Sequence, residues 1–85
     1  MSYSLFVAAT ADRQLGKLTR AVQARLDPAI DALADDPRPH GSRKMQGTKS
    51  SYRIRVGDYR VIYAVDDQAR RVDVLTVAHR RESYR

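Results

Sequence analysis

The chain has 85 residues, no cysteine, and 16 Lys plus Arg against 10 Asp plus Glu, a formal net charge of +6. That length excludes two ordinary domains, so residues 1–85 are expected to form one, and the lack of cysteine excludes disulfides, thiolate nucleophiles and Cys-ligated zinc. Two histidines without metal-ligand spacing give no expected metal or other cofactor, and the longest apolar run, Leu5 to Ala9, is too short for a bilayer span or a signal core, so the expectation is a cytoplasmic protein with no membrane partner.

Tyr3 to Val7 alternates, with Tyr3, Leu5 and Val7 on one face, and predicts a short strand. Thr10 and Asp12 offer helix-start chemistry, and Leu15 and Leu18 have the spacing of a short amphipathic helix. Thr19 is the expected N-cap of a second helix, in which Val22, Leu26, Ile30 and Leu33 form a core stripe. Pro28 either kinks that helix or begins a new one capped by Asp27. The stripe keeps its phase across Pro28, which favours one bent helix. The run Asp36-Pro37-Arg38-Pro39-His40-Gly41-Ser42 breaks regular structure and predicts a loop, in which His40 reads as ordinary surface.

That loop divides the charge. Residues 1–40 hold five basic and five acidic residues, whereas residues 41–85 hold eleven basic and five acidic. Thirteen of the sixteen cations are Arg, whose planar fork suits phosphate. Such a balance points to an anionic partner, either nucleic acid or an acidic protein.

The basic half reads as a meander. Tyr52, Ile54 and Val56 alternate with Arg53 and Arg55; Gly57-Asp58 signals a two-residue type II′ hairpin; Tyr59, Val61, Tyr63 and Val65 then share one face. Asp66 to Arg70 makes the next turn, and the mostly apolar run Val72 to Ala78 predicts a last strand, central in the sheet. A two-residue loop sets Val56 opposite Tyr59, Arg55 opposite Arg60, Ile54 opposite Val61, Arg53 opposite Ile62 and Tyr52 opposite Tyr63. All the apolar residues then fall on the core face. The other face carries Arg53, Arg55 and Arg60, with Arg55 and Arg60 directly opposed at a Cβ separation of roughly 5 Å, where like charges oppose folding. Asp73 is the nearest acid in the sheet. Concentrated charge of this kind points to an anion-binding face. After the last strand, His79, Arg80, Arg81 and Tyr84 add an imidazole, two guanidiniums and a phenol.

Tyr52-Arg-Ile-Arg-Val-Gly-Asp-Tyr-Arg-Val-Ile-Tyr63, followed by Val77-Ala-His-Arg-Arg-Glu-Ser-Tyr84 and preceded by Lys44-Met45-Gln46-Gly47, resembles the RelE-type toxins of bacterial type II toxin–antitoxin systems, the RelE/ParE superfamily. The resemblance covers nearly the whole chain. It implies a compact α+β fold of order β-α-α-β-β-β, with an N-terminal strand and a helical hairpin packed on a twisted, mainly antiparallel four-stranded sheet. It also implies a ribosome-dependent mRNA endoribonuclease that needs no metal, inhibits translation and is neutralised by an antitoxin. In that chemistry the 2′-hydroxyl attacks the adjacent phosphate and the 5′ oxygen leaves. The resemblance assigns catalytic roles to Arg53, Arg55, Arg60, Arg80 and, at the C-terminal side, Tyr84. Lys44, Lys49, Arg53, Arg55, Arg60 and Arg81 are the expected RNA and phosphate contacts. The best-known members carry Lys where this chain has Arg53 and Arg55, and Arg does not give up its proton. His79 is the chemically attractive substitute as base, because imidazole titrates near neutrality. Expected partners are the ribosome, mRNA and a cognate antitoxin whose acidic, partly disordered segment covers the cationic face. The hetero-oligomer would bind operator DNA through the antitoxin. The alternatives are a ParE-like toxin that poisons gyrase without nuclease activity and a degenerate basic module that binds only RNA or antitoxin.

Overall fold

The computed structural model describes residues 2–48 and 50–79. Lys49, Arg80, Arg81 and Tyr84 lie outside the described residues. The element order is β1 (Ser4–Val7), α1 (Ala9–Gly16), α2 (Arg20–Ala32), β2 (Arg43–Lys44), β3 (Ser51–Val56), β4 (Tyr59–Asp66) and β5 (Arg71–His79). The strands form one sheet in the order β1-β5-β4-β3-β2. All pairings are antiparallel except β1 with β5. The sheet therefore has five strands, one more than the sequence pattern predicts. The added strand, β2, has two residues, and two residues carry no alternation to read.

The helices form much as their patterns dictate. Thr19 caps α2, its Oγ1 accepting from the Val22 amide at 3.3 Å. That helix runs unbroken through Pro28, whose missing N–H would have bonded the carbonyl of exposed Ala24, where water can reach. The start of α1 differs from expectation. Ala8, not Thr10 or Asp12, occupies the N-cap and gives no side-chain bond; its amide instead donates to the Val74 carbonyl at 2.8 Å, tying the strand-to-helix corner to β5. Leu18 falls beyond the end of α1. The Gln23 amide of α2 donates to the Leu15 and Leu18 carbonyls at 2.8 and 3.0 Å, so the second helix satisfies the open end of the first.

One layer of core lies between the helices and the sheet. Ala11, Leu26, Ile30 and Leu33 meet Ile54, Val61, Tyr63, Val65, Val72, Val74 and Val77. Each fully buried Leu or Val contributes on the order of 1.5–3 kcal/mol. Of the three β1 residues expected to face this core, Tyr3 and Leu5 pack against it, whereas Val7 stays exposed on the edge strand.

The β3–β4 register agrees pair for pair with the one deduced from the hairpin. Gly57 has φ +60°, and no described non-glycine residue except Arg70 has positive φ. A positive φ at the first turn residue alone is the type II′ signature. A Cβ at Gly57 would also come within 3.1 Å of the Arg25 guanidinium. The expected Asp66–Arg70 turn is one residue shorter, because Asp66 still belongs to β4 and Arg70, at φ +52°, closes it. β5 is central, between β1 and β4. A register shift at Ile62/Tyr63 leaves Leu75 as an extra residue on β5, between partners Val74 and Thr76. The bulge lets Val72, Val74 and Val77 all face the core despite odd spacing.

Candidate active site

The sheet face away from the helices carries the charge. The pairs Arg43↔Arg53 and Arg55↔Arg60 put four guanidiniums on it from three neighbouring strands. Arg55 is exposed and Arg53 half-buried, while Arg60 is only 8% exposed. Arg60 is thus a buried post at the floor of the cluster rather than a surface cation. Asp73, the nearest acid by sequence reasoning, does not serve this cluster. It accepts from Arg71 Nε on its own strand at 2.9 Å.

Two adjoining hollows open on this face. One, of about 540 Å³, is lined by His40, Gly41, Arg43, Arg53, Ile54 and Arg55. The other, of about 610 Å³, is lined by Arg43, Lys44, Met45, Gln46, Arg53 and Arg60. Arg43 and Arg53 line both, and among the described residues no carboxylate lines either. Guanidiniums arranged this way can hold a phosphate by paired N–H···O bonds and stabilise charge that develops on it. Among the described residues no group of three or more His, Asp or Glu is placed to hold a metal ion.

The structure thus brings together Arg53, Arg55 and Arg60, and Lys44 lines the second hollow although its pairing with Tyr52 gives it the opposite parity to Arg43. The structure does not bring His79 to the arginines. Ala78 pairs with Arg60 and takes the cationic face, so His79, one residue on, points to the helix side. There its ring meets Tyr59 edge-on, at 5.3 Å between centroids and 85° between planes. It lines a separate hollow with Thr10, Arg13, Gln14 and Lys17 of α1. His79, expected after the last strand, is instead the last residue of β5, and its expected convergence with the arginines fails through strand parity.

Two contributors escape a reading of the sequence. Arg43 joins the cluster only because β2 pairs with β3. His40 reaches it because the proline loop is pinned beside the sheet. The pin is Arg38, which donates to both Asp67 carboxylate oxygens at 3.2 and 2.7 Å and to the Tyr52 hydroxyl at 3.1 Å. Its guanidinium also lies 5.1 Å from the Tyr52 ring centroid. Tyr3 donates to the same Asp67 at 2.7 Å. Hydrogen bonds from Arg38 and Tyr3 hold the Asp67 carboxyl below its ordinary range, and the bond to Asp67 pushes the Tyr3 phenol up. Beneath the loop, fully buried Tyr63 donates to the Pro37 carbonyl at 2.7 Å. Burial pushes its phenol up to about 12, so it stays a neutral donor across physiological pH.

A helical pair over one face of a small sheet, with a cluster of arginines on the other, defines a small α+β protein with a cationic sheet face. The model of the ParE toxin family of type II toxin–antitoxin systems matches residues 5–84. Toxin RelE of Mycobacterium tuberculosis (strain ATCC 25618 / H37Rv) is 33% identical over 84 residues, covering 98% of this chain and 87% of that protein. Toxin RelG of the same organism is 33% identical over 86 residues, covering 100% and 99%. Among solved structures, the archaeal RelE–RelB complex from Pyrococcus horikoshii OT3 matches with a TM-score of 0.83 at 30% identity, over 94% of this chain and 97% of that one. The intact E. coli RelBE toxin–antitoxin complex matches with a TM-score of 0.80 at 26% identity, over 92% and 96%. The chain belongs to the ParE toxin family, within the RelE/ParE superfamily, and is a RelE-like toxin of a type II toxin–antitoxin system.

Proposed function

We propose that this toxin is a metal-independent endoribonuclease that cuts mRNA on the ribosome. The observation that carries this reading is the cluster of Arg43, Arg53, Arg55 and Arg60 around two adjoining hollows that no carboxylate lines among the described residues. Cleavage by 2′-hydroxyl attack builds up charge on a crowded phosphorus, and fixed guanidiniums lower the barrier by stabilising that charge. Arg53 and Arg55 grip the phosphate, Arg60 holds the floor of the site, and Lys44 contacts the flanking backbone. By family resemblance Arg80 and Tyr84 complete the catalytic set, with Lys49 and Arg81 as further RNA contacts. The partners are the ribosome and mRNA in the cytoplasm, and a cognate antitoxin that neutralises the same face with an acidic segment. The toxin–antitoxin hetero-oligomer binds operator DNA through the antitoxin.

The test is to add purified protein to translating ribosomes and map the mRNA ends. Cuts within decoding-site codons that leave 5′-hydroxyl ends, undiminished by a metal chelator that spares ribosomal magnesium, are expected. Intact mRNA together with growth arrest on expression would remove the nuclease reading. The match to the ParE family model supports a second one, a toxin that poisons gyrase. Induction of the DNA-damage response on expression would favour it.

A further inference from the structure

An arginine cluster can hold a phosphate, but it cannot accept the proton that a 2′-hydroxyl must lose. Arg keeps its proton at any physiological pH, and among the described residues no carboxylate lines either hollow. The sequence has two histidines. His79 points to the helix side of the sheet, against Tyr59. His40 lines the hollow that Arg43, Arg53 and Arg55 surround.

The way His40 is carried matters as much as where it is. It follows Pro37 and Pro39, whose rings fix φ, and precedes Gly41 at φ +93°, a conformation that costs glycine little. The Ser42 amide donates to the Pro39 carbonyl at 2.9 Å, closing a tight turn around His40. The Arg38 amide donates to Asp36 Oδ1 at 3.1 Å, while the Arg38 side chain and the Tyr63 hydroxyl fasten the loop to Asp67, Tyr52 and the sheet. His40, exposed, is thereby held on a braced loop and lines the same hollow as three arginines. The same bracing satisfies buried groups such as the Tyr63 hydroxyl. A proton acceptor needs such bracing, since acid–base catalysis depends on sub-ångström placement.

We infer that His40 is the general base of the cleavage reaction, facing an RNA phosphate held by Arg43, Arg53 and Arg55. This rests on the nuclease reading above. The neutral imidazole takes the 2′-hydroxyl proton as O2′ bonds to phosphorus. The P–O5′ bond breaks, leaving a 2′,3′-cyclic phosphate on one fragment. The departing 5′ oxygen takes a proton from water to become a hydroxyl, and the imidazolium returns its proton to solvent. Among the described residues, the charged groups lining the hollow with His40 are Arg43 of β2 and Arg53 and Arg55 of β3, and its own loop also carries Asp36 and Arg38.

The experiment is single-turnover cleavage of mRNA on programmed ribosomes by the full-length protein, His40→Gln, His40→Ala and His79→Gln, across pH 5.5–8.5. His40→Gln is expected to cut at least about 10²-fold more slowly at saturation, to bind programmed ribosomes as tightly as the unsubstituted protein, and to lose the acidic limb of the pH–rate profile. Added imidazole is expected to restore part of the rate in His40→Ala, and His79→Gln should keep the acidic limb. If the unsubstituted protein cuts and His40→Gln cuts as fast with the same profile, His40 is not the base, though the nuclease reading stands. Weaker ribosome binding at an unchanged saturated rate would make His40 a binding residue and overturn the inference. Loss of the acidic limb in His79→Gln, with His40→Gln keeping it, would overturn it too. If the unsubstituted protein fails to cut at all, the nuclease reading falls and takes this inference with it.

Discussion

Arg38 and Arg43 stand five positions apart in the chain and obey opposite rules. Arg38 is partnered in every direction, by two carboxylate oxygens, a phenol oxygen and an aromatic face. Those bonds hold its guanidinium firmly in the charged form. Arg43, Arg53 and Arg55 make no ion pair among the described residues. The acids that might have quenched them are engaged elsewhere, Asp67 with Arg38 and Asp73 with Arg71. The brace is an exposed ion pair, which adds little to stability. Its return is positional, since it fixes a loop beside the open cluster. Charge that shapes this molecule is neutralised internally, and charge meant for a ligand is left for the ligand to neutralise.

This contrast can be broken most decisively by removing the open charge. The double substitution Arg53→Ala with Arg55→Ala should slow cleavage of ribosome-bound mRNA by roughly 10²–10³-fold, with a melting temperature unchanged or raised. Equal loss of folding and activity would mean that these arginines are structural. Next comes the buried fastening of the loop. Tyr63→Phe strands the Pro37 carbonyl and should destabilise the fold by about 1–3 kcal/mol, read by urea denaturation. Its cleavage rate at a temperature where the variant is still folded should fall too, because His40 loosens. A smaller effect of opposite sign is expected at the opposed pair. Arg55→Thr relieves the repulsion with Arg60 and should raise stability by about 0.2–1 kcal/mol. It should also flatten the salt dependence of RNA binding by about one phosphate contact, a slope change of roughly 0.7.

The smallest effect tests the brace by pH. Asp67 titrates below its ordinary value in the folded state. Its contribution to stability is therefore fully present above the unfolded value of about 4 and is lost as pH falls through the folded one. Asp67→Asn should be less stable than the unsubstituted protein at neutral pH, and the two should converge in acid. A gap that persists at low pH would show that the carboxylate charge is not what fastens the loop.

The sequence was most readable where one short rule governs a long stretch. Two turn residues and a period of two yield the whole β3–β4 register, and with it the opposition of Arg55 and Arg60. The stripe from Val22 to Leu33 predicts both α2 and its passage through Pro28. What escaped has no period. β2 is two residues long, and the bulge at Leu75 changes parity without changing composition. The place of His40 depends on contacts from Arg38 to residues 14 and 29 positions away, which no local pattern contains. Parity decides the place of His79: it is the better base by sequence, and one residue of strand phase puts it on the helix side.

The pairing of β1 with β5 has a consequence in time. β1 is synthesised first, yet its backbone partners run from Arg71 to Val74, in the last strand of the sheet. Contacts between distant segments form late, because the loop between them must close before any contact compensates the lost chain entropy. A ribosome making this protein therefore releases helices and a hairpin long before it releases a closed sheet. The Ala8–Val74 bond that fixes the first helix waits on the same event. The antitoxin thus meets a chain that completes its sheet only after β5 has emerged, an interval in which a partner already made can reach it first.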